Sequence, residues 1–276
     1  MLWSVISAVN NEEILKSCLL KSPDLRSAAD VILRTGFTSA ASAYNSALRE
    51  AKGDILVFVH QDVYLPEGWI NRVRSAIEVL SVRDPDWAVL GVWGVKNDGG
   101  YAGYVYWQGV AGKHFDGGIE VVSLDEMVLI LRRTSMLSFD ENLRGFHMYG
   151  ADLCLEAARR GMRSYVVSAF CIHNAKGYGM FPLPFWKAFF FMRKKWRSRL
   201  PVKTTCIEVT RWCWPMIKWS SIRALNLALR RERPVVRLSN PEHLYQEIVR
   251  RGMIVPLLPG VRAPGRPIPS RGVFGR

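Results

Sequence analysis

The stretch from Gly53 to Gly68, GDILVFVHQDVYLPEG, constrains the fold more than any other. Ile55 to Val59 are five apolar residues in a row, mostly branched or aromatic, and read as a strand buried on both faces. Such a strand needs a layer of structure on each side, so the chain reads as α/β. The strand ends abruptly in His60, Gln61 and Asp62. In open α/β sheets, ligands bind just beyond the carboxyl ends of the strands. A carboxylate delivered there suits a hard cation or a phosphate-bearing ligand. Asp62 serves equally well, on this stretch alone, as a cap for a helix opening at Pro66.

The chain around it alternates strand and helix patterns. Leu2 to Val9 is a short apolar strand ending in Asn10-Asn11-Glu12-Glu13, either a second carboxyl-end site or a plain turn. Glu12 to Leu20 has helical spacing, and Ala29 to Leu33 reads as a strand followed by Arg34-Thr35-Gly36. Thr38 to Lys52 is the clearest helix, with Ala40, Tyr44, Ala47, Leu48 and Ala51 on one stripe and Gly53 as its stop. Asn45 beside that stripe either bonds backbone locally or reaches a ligand. A further helix from Pro66 turns Trp69, Ile70, Val73, Ile77 and Leu80 inward, and Trp87 to Val95 reads as one strand. Residues 101–118, rich in Tyr, Trp and Gly, suit a hairpin lining a cleft.

Between Ile119 and Leu131 the pair Asp125-Glu126 interrupts an otherwise strand-like run. Carboxylates there are costly unless paired, bound or at an edge, which makes Asp125 a functional candidate. A helix from about Gly150 to Gly161 puts Asp152 in its first turn, where the helix dipole favours the ionised form. Asp152 is there either a base or a structural cap. Tyr165 to Ala169 is another strand, with His173 just beyond it. This alternation over 1–175 predicts a sandwich around a mostly parallel sheet. No dinucleotide glycine fingerprint and no GxxxxGK[ST] loop is present, which disfavours a Rossmann dehydrogenase or a P-loop enzyme.

Charge divides the chain in two. From Lys176 onward there are 21 Lys and Arg against four Glu, a net +17, while residues 1–175 carry a net −3. The basic segment calls for an anionic partner. No apolar run reaches the roughly 20 residues of a membrane span. The amino terminus lacks the basic region of a secretory signal, and five cysteines without a CxxC pair suit a reduced, cytoplasmic setting.

The order of the pieces resembles a family 2-type glycosyltransferase with the GT-A fold, most closely the branch that includes streptomycin-biosynthesis-type transferases. The resemblance rests on Ser4 to Glu12, Ala43 to Gly53, His60-Gln61-Asp62, Leu124-Asp125, Phe139-Asp140-Glu141, Phe146 to Leu155 and His173. It implies a GT-A-type α/β/α sandwich over residues 1–176 that binds a UDP-, GDP- or dTDP-linked sugar. It further implies a Mn2+ or Mg2+ ion held by Asp62 and His173 against the diphosphate. Val9, Asn10, Asn11, Arg34, Asn45, His60, Gln61 and His147 are then expected around the nucleotide and substrate. Asp152, with Asp125, is expected to act as base in an inverting, single-displacement transfer to a glycan or glycolipid. Two positions depart from the pattern. His60 stands where a carboxylate usually opens the Asp-x-Asp motif, and Gly150 stands where a further acid usually precedes Asp152. If that acid is the base in relatives, His147 or Asp125 replaces it, or the module binds donor without transferring it.

Residues 177–255 read as a helical extension that mixes rings with cations, including Phe181 to Arg199, Trp212, Trp214 and Trp219. Interfacial segments on an anionic membrane have this composition, which predicts a peripheral protein on the inner face of the cell membrane. The competing reading packs the rings on the catalytic domain and leaves the charges solvated. Nucleic acid is not expected as a partner. Residues 256–276, dominated by Pro, Gly and Arg, read as a disordered tail.

Overall fold

The computed structural model describes residues 1–175, 180–229 and 240–254; the expected disorder of 256–276 lies outside them. In chain order the first half runs β1 (Trp3–Val9), α1 (Glu12–Ser17), β2 (Asp30–Thr35), α2 (Ala40–Leu48), β3 (Ile55–Val59), β4 (Val63–Tyr64) and α3 (Trp69–Arg83). Then come β5 (Trp87–Gly91), β6 (Trp93–Val95), β7 (Tyr101–Tyr106), β8 (Val110–Gly112), β9 (Gly118–Val121), β10 (Ser123–Leu124) and β11 (Val128–Arg132). The rest is α4 (Tyr149–Arg159), β12 (Arg163–Val167), β13 (Cys171–His173), α5 (Leu183–Lys195), β14 (Val202–Lys203), β15 (Glu208–Val209), α6 (Trp214–Ala228) and α7 (Pro241–Arg250).

The main sheet has the order β2-β1-β3-β11-β5-β12-β9. β2, β1, β3, β5 and β12 run one way; β11 and β9 run against them. The sheet is thus mixed but mostly parallel in direction, as the α/β reading expects. β3 is buried along its whole length. Its Leu56 and Phe58 enter a core with α2, α4 and α5, while Ile55, Val57 and Val59 enter a second core with α3. A second, smaller sheet, β10-β6-β7-β13-β4 with β8 on β7, lies beyond the ends of β3 and β5.

Several local expectations are corrected. The helix expected at Pro66 starts at Trp69, because Gly68 takes a left-handed φ of 83° and breaks the run. Asp62 does not cap it. Asp24 does, from a distant segment, accepting the amides of Gly68 and Ile70 at 3.1 and 2.8 Å. Gly53 is not a helix stop, since α2 already ends at Leu48. Gly53 is needed because a Cβ there would lie 2.4 Å from the backbone nitrogen of Ser4. The strand expected over 87–95 is two strands, which turn from the main sheet into the smaller one at Val92. Gly161, with φ of 77°, does end α4.

The rings of α5 divide: Phe185 and Phe189 face inward, Trp186 and Phe191 are partly buried, and Phe190 is exposed. Phe185, Phe189, Met192 and Trp196 are buried in the same core as α2 and α4, with Phe181 stacked on Trp219 at 3.7 Å. Burying each such side chain contributes about 1.5–3 kcal/mol, which is why they leave the surface. For these buried rings the competing packing reading holds. Exposed rings and aliphatics include Leu183 and Phe190 on α5 and, further on, Trp212, Trp214, Ile217, Ile222 and Leu225. No helix among the described residues is long and apolar enough to cross a membrane.

Candidate active site beyond the strand ends

β3 delivers His60 to the carboxyl edge of the main sheet, where its amide still pairs with the Met127 carbonyl at 3.0 Å. The chain then enters β4, which pairs antiparallel with β13 and sets His173 opposite Val63. Asn174 donates its amide to the Asp62 carbonyl at 2.8 Å and extends the ladder. This backbone pairing brings His173 Nε2 within 3.5 Å of Asp62 Oδ1, with both side chains only 13% exposed. The His60 and His173 rings lie 5.6 Å apart. Among the described residues, His60, Asp62 and His173 offer ligand atoms that all lie within 4.8 Å of one another.

The donor set fits a divalent ion. Burial holds the His60 imidazole below its ordinary pKa, against the opposing pull of Asp62, so the ring stays neutral and keeps a lone pair. Its Nε2 lies 2.7 Å from the Tyr149 hydroxyl, which fixes the ring as outer partners of metal-binding histidines do. The Tyr149 hydroxyl also donates to the Glu126 carbonyl at 3.3 Å. Two imidazoles and one carboxylate suit a transition ion such as Mn2+ better than Mg2+, which prefers oxygen ligands.

The other sequence candidates divide. Gln61 accepts the amides of Asn10 and Asn11 at 3.0 Å each and bonds the Asn10 side chain. It thereby ties the loop after Val9 to the cation cluster. Asn11 also caps α1 through Ile14. His147 is partly exposed above α4, its pKa pushed down to about 4 by burial and then by His60. Asp125 lies near His60 but accepts from the Met127 amide at 3.0 Å and from the Thr205 hydroxyl at 2.9 Å.

Three candidates are turned elsewhere. Arg34 bonds Ser46 on α2 at 2.9 Å and Glu50 just after it at 2.5 Å, so its guanidinium is turned to this segment. Asn45 clamps both backbone groups of Phe139, at 2.8 and 3.0 Å, which is a structural use of a partly buried amide. Asp152 is 3% exposed. One oxygen accepts from Trp196 Nε1 at 2.7 Å, and Lys195 Nζ sits 2.9 Å away. Lys195 also pairs with Asp140 and Glu156. A carboxylate held this way is anchored to α5, not presented to a hydroxyl. Sequence reasoning missed Tyr149 and Glu126. Glu126 was visible only as half of an acidic pair inside an apolar run.

Three potential metal ligands thus converge at the carboxyl edge of a mixed α/β sheet, the place where open α/β sheets bind ligands. Residues 4–180 match the glycosyltransferase like family, and the chain belongs to it. A protein from Fuscovulum blasticum described as "ATP synthase subunits region ORF 6" is 35% identical over 140 residues. That match spans 48% of this chain and 56% of that protein, so the chain covers about half of its length. Among solved structures, GalNAc-T7 with UDP, GalNAc and Mn2+ overlaps at 11% identity and TM-score 0.49, over 72% of this chain and 48% of that one. The mannosyltransferase PcManGT from Pyrobaculum calidifontis with GDP-Man and Mn2+ gives 14% and 0.43, over 92% and 81%. S. aureus TarS with UDP gives 18% and 0.44, over 62% and 60%. Overlaps this loose add nothing to the family match and the geometry.

Proposed function

We propose that this protein is a divalent-cation-dependent, inverting glycosyltransferase that uses a UDP-, GDP- or dTDP-linked sugar as donor. The observation that carries this reading is the meeting of His60, Asp62 and His173 beyond the strand ends of a chain in a glycosyltransferase-like family. These three residues would hold the ion, with Mn2+ favoured over Mg2+ by the two imidazoles. Bound there, the ion supplies Lewis-acid stabilisation to the departing nucleoside diphosphate. The loop of Asn10 and Asn11, locked by Gln61, borders the same edge and would meet the nucleotide.

The acceptor in this reading is a glycan or glycolipid at the inner face of the cell membrane. Support comes from α6, where Trp214, Ile217, Ile222 and Leu225 are exposed beside Arg211, Lys218 and Arg223. A second reading, a module that binds donor without transferring sugar, is favoured by the engagement of Asp152 with Lys195 and Trp196.

A thermal-shift series with UDP-, GDP- and dTDP-glucose, with and without Mn2+, tests donor binding. The expected result is stabilisation by one donor only when Mn2+ is present, lost in Asp62→Ala. No stabilisation by any donor with Mn2+ present would overturn the reading. Release of nucleoside diphosphate from the stabilising donor separates the enzyme from the inert module.

A further inference from the structure

Asp152 leaves the proton of an attacking hydroxyl without an evident acceptor, and Gly150 cannot be replaced by an acid. A Cβ at Gly150 would stand 2.6 Å from the Leu124 carbonyl oxygen and 3.3 Å from Glu126 Cγ. The Glu126 side chain therefore lies where a residue at 150 would project. Its loop is pinned to the cation cluster from two sides. Met127, the next residue, bonds the His60 amide, and the Tyr149 hydroxyl bridges His60 Nε2 and the Glu126 carbonyl. On the other side, Asp125 bonds Thr205. Next to Thr205 opens a cleft of about 270 Å³ lined by Tyr101, Lys203, Thr204, Cys206 and Glu208. Thr204 and Cys206 flank Thr205 and line the cleft, so the cleft adjoins the contact that Asp125 makes.

We propose that Glu126 is the general base of the transfer and accepts the proton of the hydroxyl that attacks from this cleft. The assignment rests on the donor-binding reading above. In the step, the hydroxyl oxygen forms the bond to the anomeric carbon and its proton passes to the Glu126 carboxylate. The anomeric carbon–phosphate oxygen bond breaks, and its electron pair leaves with the nucleoside diphosphate. Glu126 then returns its proton to solvent.

The environment of the carboxyl suits this work. Burial first, and then the charge of Asp125, push its pKa up to about 8, while the backbone at Met148 and Gly150 opposes the rise. A base with a pKa near the working pH is the efficient one. The ionisable groups around it are Asp125 on its own loop, Tyr44 on α2, Tyr149 and Cys154 on α4, and Cys206 after β14.

The test measures Mn2+-dependent hydrolysis of UDP-, GDP- and dTDP-glucose, with water as acceptor, alongside the donor-induced shift in Tm. Glu126→Gln should keep the Tm shift and lose about 10²–10⁴-fold in kcat. The parent rate should rise with a midpoint near pH 8 and level off above it, and that rising limb should vanish in Glu126→Gln. Glu126→Asp keeps a carboxylate and should restore activity partly, with the limb displaced. A Glu126→Gln rate within about threefold of the parent, with the limb intact, overturns the assignment. If Glu126→Gln does not fold, an undisplaced limb in Glu126→Asp overturns it. A parent that neither gains Tm nor releases nucleotide with any donor defeats the donor reading and this assignment together. That result is distinct from a parent that turns over donor through a base other than Glu126.

Discussion

The first turns of α4 serve two charged clusters that are built in opposite ways. At Tyr149 the helix touches a cluster of one carboxylate between two imidazoles, Asp62 with His60 and His173. At Asp152 it enters a cluster of three carboxylates around one ammonium, Asp140, Asp152 and Glu156 about Lys195. In the second cluster the protein supplies its own cation, and the product is a joint between α4 and α5. In the first, the ligand atoms converge on a space that fits an external ion. A group of acids is a site or a strut according to which side of the bargain the chain itself brings.

The widest separation between the two should come from Asp62→Ala. Loss of the carboxylate should abolish the Mn2+-dependent Tm shift and reduce donor hydrolysis about 10³-fold, the equivalent of several kcal/mol of metal stabilisation. Its urea midpoint without metal should move little. Lys195→Ala should do the reverse. Asp152 would stay buried with only the Trp196 N–H to balance it, while Glu156 keeps Arg159, so the loss should cost about 3 kcal/mol in urea unfolding, as for a broken buried pair, with the Mn2+ response of the folded fraction unchanged. Equal losses of metal response in both variants would erase the distinction.

Tyr149→Phe sharpens it. Removing the hydroxyl between His60 and the Glu126 carbonyl should weaken Mn2+ affinity about 10–100-fold, as outer partners of ligands do, with a smaller change in stability. The smallest effect is a pH slope. His147 titrates near pH 4 in the folded protein and near 6.5 unfolded. Between those values the unfolded chain binds a proton that the native ring refuses. Stability is therefore lost as pH falls from 6.5 towards 4. Urea midpoints should show the slope, and His147→Gln should flatten it.

Burial of β3 on both faces could be read from five consecutive apolar residues, because the period of a doubly covered strand is a local property. The inward face of α3 was equally local: Trp69, Ile70, Val73, Ile77 and Leu80 are all buried. The meeting of Asp62 and His173 was expected from the resemblance, but the residue patterns alone failed where the outcome was settled at a distance. The cap of α3 comes from Asp24, and Gly53 answers to the backbone of Ser4 rather than to its own helix. The rings of α5 have the composition of an interfacial segment, yet Phe185 and Phe189 fill the core against α2 and α4. Composition cannot say which surface a ring will find.

The sequence by itself determined the layered α/β class, the abrupt polar end of β3 and the split of charge at Lys176, since each depends on neighbours in the chain. Tertiary structure decided which acids face which partners. The pairing of β4 with β13 placed His173 beside Asp62, the return of α5 gave Asp152 to Lys195, and the closeness of Leu124 to Gly150 left room there for Glu126 alone. Electrostatic roles follow from separations of a few ångströms, and those separations are fixed by strand pairing and helix packing between segments far apart in the chain.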